Sequence, residues 1–354
     1  MVRCAADKLG LFVRARCGVE NMRRSVLEPF AGEPRTTVAV PAGPVGEAAR
    51  RLRDRLRGLI LLGGAVRASE LSRGVGRSPL DLPVELGVSL LDLWRAEVSA
   101  LAEAIGAEDM RVRVLIDADA VEPKTPAPTG RVRVSVERDR DELRGTGGLL
   151  RDACAVYADD DLVLVANANQ VMLEPLAAQA AALAATGADA ALVAHDDGAP
   201  VGVMLVRAGA MRVIRDRGFV DFKEQALPQI AARFDVRVSA RPRGTAATVR
   251  TLDGYIDAVR AHHRLLAGRP VSEGPAAEDW IRTFAIVEPG ATVDPTARIH
   301  DAVILTGATV RPGAVVVRSL VGPGAIVGAD ETVSDEVVSA EGSARTRGDE
   351  GGVG

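Results

Sequence analysis

Cysteine is scarce in this sequence of 354 residues, which contains three cysteines, Cys4, Cys17 and Cys154. They form no CxxC pair and no even-numbered set, so neither a disulfide framework nor a structural zinc site is expected. Low cysteine usage of this kind is typical of a reducing compartment. We therefore expect a cytoplasmic protein.

Long apolar runs and a strong net charge are also missing. No run of 18 apolar residues predicts a membrane span, and the first residues lack the charged, apolar and small-residue regions of a signal peptide. The formal net charge is −4, with no basic face or arm that would favour nucleic acid. We expect small-molecule partners, no nucleic acid and no membrane.

Composition divides the chain into four parts. Residues 1–57 carry Arg clusters and a Pro/Gly link, which predict a partly disordered N-terminal extension with a short basic helix over Val45 to Arg57. Met22 is an alternative start to Met1. Residues 58–280 are expected to form an α/β domain, residues 285–340 a β-helix, and residues 341–354 a disordered tail.

Residues 58–280 alternate apolar runs with amphipathic segments. The runs predict strands at residues 59–62, 112–116, 132–136, 162–166, 190–194 and 201–206, and the segments predict helices at residues 90–105, 148–157, 173–186 and 252–267. This order predicts an α/β fold with a mixed, mostly parallel sheet and helices on both faces. Ligands then bind at the carboxyl ends of the strands, where Gly63-Gly64 would let the backbone approach a phosphate.

A 17-residue repeat follows Trp280. Aliphatic residues recur in register at three places in each period, as Val287, Ile304 and Val321, then Val293, Val310 and Val327, then Ile299, Val316 and Val333. Three short strands per period, each with one inward aliphatic side chain, predict a prism whose turns stack on one another. The repeat resembles the left-handed β-helix of hexapeptide-repeat proteins, with about three coils.

An α/β domain that opens with a strand and Gly-Gly, followed by a short β-helix, resembles the sugar-1-phosphate nucleotidyltransferases. These include the mannose-1-phosphate guanylyltransferase and glucose-1-phosphate nucleotidyltransferase types. The resemblance covers about residues 58–338 and implies a nucleotide-diphospho-sugar transferase-like fold. It also implies transfer of a nucleotidyl group from a nucleoside triphosphate to a sugar 1-phosphate, with Mg²⁺ as cofactor.

The family's nucleotide-binding motifs are matched in part. Gly63, Gly64 and Arg67 are similar to the glycines and arginine of its triphosphate loop, although the third glycine is replaced. The family's second triphosphate-binding segment, K-P-x-x-P-V, is similar at its end to Leu82-Pro83-Val84. Its lysine is missing here, and Arg77 is the only nearby cation that could replace it. A second set of residues, similar to the family's G-T-A-G-A-L turn beside the nucleobase, comprises Gly145, Thr146, Gly147 and Gly148.

Both carboxylates that hold the metal in this family are replaced. Asn169 stands where the aspartate of the N-G-D motif is expected, and Thr248 stands where the second aspartate is expected. Neutral amide and hydroxyl groups hold Mg²⁺ far more weakly than carboxylates do. Asp253 and Asp159 are neighbouring carboxylates, but the sequence places neither of them at the site.

The segment from Phe219 to Pro228 resembles the F-V-D-x-K-E-x-x-x-P segment of the guanylyltransferase branch. By this resemblance Lys223 is expected to contact the substrate phosphate, and Asp221 and Glu224 to orient it or bind substrate. A structural salt bridge is the alternative for these three residues.

Two hypotheses follow. The chain is an active nucleotidyltransferase with a relocated metal site, in which Arg67, Arg77 and Lys223 are the catalytic cations. Alternatively, it is a catalytically impaired homologue that binds a nucleotide or sugar phosphate, or serves as a regulatory or assembly subunit. Exposed prism ends favour a homo-oligomer formed through the β-helix. Acyl transfer with His300 as base is disfavoured, because such enzymes need more coils.

Overall fold

A computed structural model of the chain describes residues 45–64, 71, 75–125, 130–139, 144–267, 283–340 and 342–344. The expectation of a partly disordered segment before residue 45 lies outside the described residues. So do the predicted site residue Arg67 and most of the predicted disordered tail.

The first part of the described chain alternates strands and helices. Its helices are α1 (Val45–Arg55), α2 (Leu90–Ile105), α3 (Gly145–Cys154), α4 (Leu176–Ala185), α5 (Ala208–Met211), α6 (Leu227–Ala231) and α7 (Leu252–Leu266). Its strands are β1 (Leu56–Leu62), β2 (Pro83–Glu85), β3 (Val88–Ser89), β4 (Met110–Ile116), β5 (Val132–Arg138), β6 (Leu162–Asn167), β7 (Gln170–Met172), β8 (Ala190–His195), β9 (Pro200–Arg207), β10 (Val236–Arg241) and β11 (Ala246–Thr248).

Seven of these strands form a central sheet in the order β10-β8-β9-β6-β1-β4-β5. All neighbouring pairs are parallel except the two that involve β9, which runs antiparallel to β6 and to β8. The prediction of a mixed, mostly parallel sheet is confirmed. Two short antiparallel pairs, β2 with β3 and β7 with β11, lie outside the central sheet.

The continuous apolar sequence of β1 reflects burial on both faces of the sheet. Leu59 and Leu61 belong to the core cluster that also contains side chains of α1, α2, α4 and α7. Ile60, between them, belongs to the opposite cluster, which contains side chains of α3, α5 and α6. Because both faces are covered, the strand has no polar face, as in other parallel sheets.

Local signals fix the helix whose bounds the sequence predicts best, α2. Ser89 and Asp92 form a capping box at its start, and Gly106 ends it in the left-handed conformation at φ 70°. The predicted bounds, 90–105, are confirmed. In α3, by contrast, the helix begins at Gly145 instead of residue 148, because its glycines lie inside the helix.

The strand order reverses at the neighbouring strands β1 and β6. From β1 the chain moves outward to β4 and β5, and it then crosses back to β6 on the other side of β1. Loops that leave two adjacent strands in opposite directions leave a crevice at their carboxyl ends, which is the usual ligand position in open α/β sheets.

The repeat region forms parallel strands that stack with a spacing of 17 residues. Eleven short strands are described, namely β12 (Ala285–Val287), β13 (Thr292–Val293), β14 (Arg298–His300), β15 (Ala302–Ile304), β16 (Thr309–Val310), β17 (Val315–Val317), β18 (Leu320–Val321), β19 (Ile326–Val327), β20 (Thr332–Ser334), β21 (Val337–Ser339) and β22 (Gly342–Ala344). They form three sheets with parallel stacking of β12 to β21, which is compatible with a β-helix.

The predicted register of the repeat is confirmed. Val287 pairs with Ile304, Val293 with Val310, and Ile299 with Val316. One corner of each turn contains a non-glycine residue with positive φ, and these residues are also 17 apart: Asp301, Arg318 and Asp335. β22, which lies within the predicted disordered tail, pairs antiparallel with β21.

One sheet of the repeat packs directly on the α/β part. Val303, Leu305 and Leu320 are fully buried in the same core cluster as α2 and α7, whereas Ile304 and Val321 belong to the separate interior cluster of the repeat. Alternate residues of β15 and β18 therefore face two different cores. The repeat and the α/β part share a continuous apolar interface.

Candidate site at the carboxyl ends of β1 and β6

The ends of β1 and β6 are held together by backbone hydrogen bonds. Leu62 lies opposite Asn167, and the N–H of Ala168 donates to the Leu62 carbonyl at 2.9 Å. On the other side, the N–H of Gly63 donates to the carbonyl of Leu115, the penultimate residue of β4, at 2.8 Å. The crevice at the strand reversal therefore has a fixed backbone floor.

Gly63 and Gly64 are required by packing and by backbone conformation. A Cβ atom on Gly63 would lie 3.2 Å from the Ile116 Cγ2 and 3.3 Å from the Leu115 carbonyl oxygen. Gly64 has φ 103°, a conformation that favours glycine. The two glycines lie where the sequence places them, at the end of β1, and Gly63 allows close packing against the end of β4.

Arg77, predicted as a catalytic cation, pairs with a carboxylate of the repeat region. Its Nη1 lies 2.8 Å from Glu288 Oε1 and its Nη2 lies 3.3 Å from Oε2. Both side chains are mostly buried, at 13% and 16% exposure. The second Glu288 oxygen also accepts from the Thr306 N–H at 2.8 Å. Arg77 thus joins the segment before β2 to the repeat.

Asn169 and Thr248, the two positions at which this chain lacks an aspartate, lie on neighbouring stretches of backbone. The N–H of Val249 donates to the Asn169 carbonyl at 2.8 Å, and Thr248 lies opposite Gln170 in the β11–β7 pair. Two segments separated by about 80 residues in sequence therefore meet beside the end of β6.

Asn169 is buried, with 6% of the residue exposed, and its Oδ1 has no hydrogen-bond partner among the residues that the structure describes. Its backbone is held on both sides, because its N–H donates to Asn167 Oδ1 at 3.2 Å and its carbonyl accepts from Val249. The preceding carbonyl, of Ala168, accepts from Trp94 Nε1 at 2.8 Å. The sequence indicates that a metal-binding aspartate is replaced at Asn169, but it gives no signal of this unpaired acceptor.

These residues do not fit a magnesium ion. At the junction where Asn169 and Thr248 meet, the side chains are carboxamides and a hydroxyl, without the anionic oxygens that Mg²⁺ prefers. Across the described residues, no group of three His, Cys, Asp or Glu side chains is placed to hold a metal. The two candidate substitutes pair with arginines instead: Asp253 with Arg318 at 3.1 Å, and Asp159 with Arg212.

The glycines of the second motif pack against the segment that follows α5. A Cβ on Gly145 would lie 2.6 Å from the Val220 carbonyl oxygen, and one on Gly147 would lie 2.9 Å from it. That carbonyl accepts from the Gly147 N–H at 2.8 Å, and Val220 N–H donates to the Arg144 carbonyl at 2.9 Å. The motif therefore has a structural role that needs no nucleobase.

Arg144 strengthens the contact between the start of α3 and the segment around Val220. Its guanidinium donates to Asp152 and, at 2.8 Å, to the Asp216 carbonyl, and only 7% of the residue is exposed. Thr146, at the start of α3, is half-buried, and Gly148 lies against the Arg144 side chain. Two motifs that are about 70 residues apart in the sequence, residues 144–149 and residues 219–228, are therefore in contact in the structure.

The predicted substrate residues lie on an unusual helical turn. Residues Phe222–Ala226 form a π-helical turn, and the Asp221 carboxylate caps it by accepting from the Glu224 N–H at 2.8 Å. Lys223 and Glu224 are exposed. Asp221 therefore orders the backbone of the turn that carries Lys223 and Glu224.

Burial also determines the chemistry of two groups near these elements. Burial raises the pKa of the Cys154 thiol, at the end of α3, to about 12. The Tyr255 hydroxyl, fully buried, donates to the Pro83 carbonyl at 2.5 Å, and burial raises its pKa well above the usual value. Both groups therefore stay neutral at physiological pH, and both are part of the packed interior.

No protein-family model matches the chain, and no curated protein matches it significantly in sequence. Among the described residues, no helix combines the length and the apolar character that a membrane crossing requires.

Proposed function

We propose that the chain is a nucleotidyltransferase-like protein that binds a nucleotide, nucleoside diphosphate sugar or sugar phosphate and does not carry out metal-dependent nucleotidyl transfer. The resemblance in motif order between residues 58 and 338 supports the ligand class. The neutral junction at Asn169 and Thr248 supports the loss of transfer, and it is the observation on which the proposal rests.

The position of the crevice supports binding. It lies where the strand order reverses, and Gly64, with φ 103° at the end of β1, turns the backbone there in a conformation that favours glycine. In the transfer reaction, a phosphate oxygen attacks the α-phosphate in line, and the developing charge requires a clamp of metal ions or fixed cations. Arg77 is already committed to Glu288, so it is a poor member of such a clamp.

The repeat is part of the same proposal. We assign it as a left-handed β-helix with the role of a scaffold: one of its three sheets packs on the α/β part, and the other two would pair with a second copy of the chain. Assembly through those sheets would give a cytoplasmic homo-oligomer.

Calorimetry and pyrophosphate release test the proposed function together. The purified chain is titrated with nucleoside triphosphates and with GDP-mannose and dTDP-glucose, and pyrophosphate is followed in parallel with hexose 1-phosphates and Mg²⁺. We expect binding of at least one nucleotide or sugar nucleotide and no pyrophosphate. Pyrophosphate release above background contradicts the proposal, and so does the absence of binding across the panel.

A matched pair of glycine variants locates the binding site. Gly64→Ala strains the turn at the end of β1, where φ is 103°, and is expected to weaken binding about tenfold or more. Gly87→Ala introduces similar strain at φ 78° in the β2–β3 turn, where the space is open, and is expected to leave affinity unchanged. Equal effects of the two variants would place the ligand elsewhere.

A further inference from the structure

The junction beside β6 contains an unusual concentration of carboxamides. Three of the four residues from 167 to 170 carry carboxamides: Asn167, Asn169 and Gln170. Asn169 and Gln170 are buried. Gly202 lies close by, since a Cβ there would be 3.1 Å from Asn167 Cβ and 3.5 Å from Gln170 Oε1. Neutral groups that both donate and accept hydrogen bonds therefore replace the charged groups that a metal site would need.

Asn169 is the member of this set with unmet hydrogen-bonding capacity. Asn167 Oδ1 already accepts from the Asn169 N–H, and Gln170 Nε2 contacts the Met172 sulfur at 3.5 Å. Asn169 Oδ1 has no partner in the described part of the chain although it is buried. A buried acceptor without a donor is unfavourable, and native proteins rarely retain one without a reason such as a ligand.

Five other buried side-chain atoms have no hydrogen bond among the described residues. The arginine nitrogens of this kind at Arg144, Arg207 and Arg241 lie within 3.3 Å of a carboxylate oxygen. The other two atoms are Gln179 Oε1 on α4, in a side chain whose amide nitrogen donates to the Glu174 carbonyl, and Arg264 Nε on α7. Asn169 differs from them because it lies at the strand reversal.

The chemistry of the unpaired oxygen restricts what it can bind. A carboxamide oxygen accepts hydrogen bonds and does not donate them, so it needs an O–H or N–H group. Phosphate oxygens at neutral pH are predominantly acceptors and do not satisfy it. A sugar hydroxyl does, and a hydroxyl group is present on every nucleotide and sugar phosphate of the proposed ligand class.

We propose that Asn169 Oδ1 accepts a hydrogen bond from a hydroxyl group of the bound sugar or ribose, so that the ligand binds at this junction without a divalent cation. This inference depends on the proposed function. It assigns the position at which a carboxylate would hold a metal to direct recognition of the neutral part of the ligand. Because the Asn169 backbone is hydrogen-bonded at its N–H and at its carbonyl, the backbone that carries the acceptor side chain is ordered before the ligand arrives.

Calorimetry with the full chain, with GDP-mannose and dTDP-glucose as probes, tests this inference. The titrations are made in EDTA and in Mg²⁺. We expect the same affinity in the two buffers for the wild type. Affinity at least tenfold higher with Mg²⁺ overturns the inference and leaves the proposed binding function intact. No binding of either probe in either buffer overturns the inference.

Variants at Asn169 then identify the contact. Asn169→Ala removes the acceptor and is expected to weaken binding in EDTA about fivefold to tenfold. Asn169→Asp keeps an acceptor oxygen, so we expect affinity within about threefold of wild type, whereas a phosphate at this position would be repelled and affinity would fall much further. Gln229→Ala, which removes a half-buried carboxamide on α6, is the control.

Circular dichroism and thermal unfolding of each variant show that it is folded before its affinity is compared. Unchanged affinity of a folded Asn169→Ala variant overturns the inference. A large loss in folded Asn169→Asp also overturns it, because that result assigns the position to a phosphate.

Discussion

Gly147 and Val220 are joined by a 2.8 Å hydrogen bond from the glycine N–H to the valine carbonyl, and the same carbonyl lies 2.9 Å from where a Cβ on Gly147 would be. The contact joins the start of α3 to the segment before the π-helical turn. It explains why a Gly-rich sequence begins this helix: the two backbones approach too closely for any side chain.

Gly147→Ala is therefore expected to destabilise the fold by about 1–3 kcal/mol, the usual range for overpacking a tightly packed site. Chemical denaturation measures the free energy of unfolding. Gly46→Ala is the control, because Gly46 lies in α1 with nothing within 4 Å of its added Cβ. The control is expected to be neutral or slightly stabilising. Equal stability of Gly147→Ala and wild type would disprove the close contact.

Arg77→Ala is expected to lower stability by about 3 kcal/mol, because it leaves the mostly buried Glu288 carboxylate without its partner. A double-mutant cycle with Glu288→Ala measures the coupling. Arg237→Ala, which breaks an exposed pair with Asp235, is expected to cost less than about 1 kcal/mol. If Arg77 binds phosphate instead, its variant will lose ligand affinity and show no coupling to Glu288.

Val316→Ala is expected to cost about 2 kcal/mol, since Val316 is fully buried inside the repeat and the change leaves a cavity. Val315→Ala, on the same strand but half-buried, is expected to cost less than about 1 kcal/mol. Thermal unfolding of the two variants separates an inward from an outward position. The reverse ranking would contradict the register observed for β17.

Cys154 is expected to be unreactive in the folded protein. Its pKa is raised to about 12 by burial, so at pH 8 the thiol is neutral, and the thiolate that reacts with thiol reagents is nearly absent. In a Cys4→Ala/Cys17→Ala variant, we expect a disulfide reagent to label the one remaining thiol slowly at pH 8 and rapidly in denaturant. Rapid labelling of the native variant would contradict the burial.

Local sequence patterns account for much of the fold. The repeat is predicted to the residue, because a 17-residue period places equivalent aliphatic residues directly above one another. Both the apolar runs at β1, β4 and β6 and the capped helix α2 are also recognisable without tertiary information. These elements depend on neighbours in sequence or on strict periodicity.

Other elements depend on contacts that local sequence does not contain. Strand β10 is not predicted from the sequence, because it is an edge strand with polar residues beside its valines and its apolar signal is weak. The partner of Arg77 lies 211 residues away in the chain. Likewise, the unpaired oxygen of Asn169 results from how β6, β7 and β11 meet, and a sequence motif shows only that an aspartate is missing.

The central claim is that the site at the end of β6 binds its ligand through neutral groups. Calorimetric titration of the wild-type protein with GDP-mannose and dTDP-glucose, in EDTA and in Mg²⁺, tests it most directly. The account predicts binding of at least one of these sugar nucleotides with the same affinity in both buffers. Binding that appears only with Mg²⁺ would contradict it.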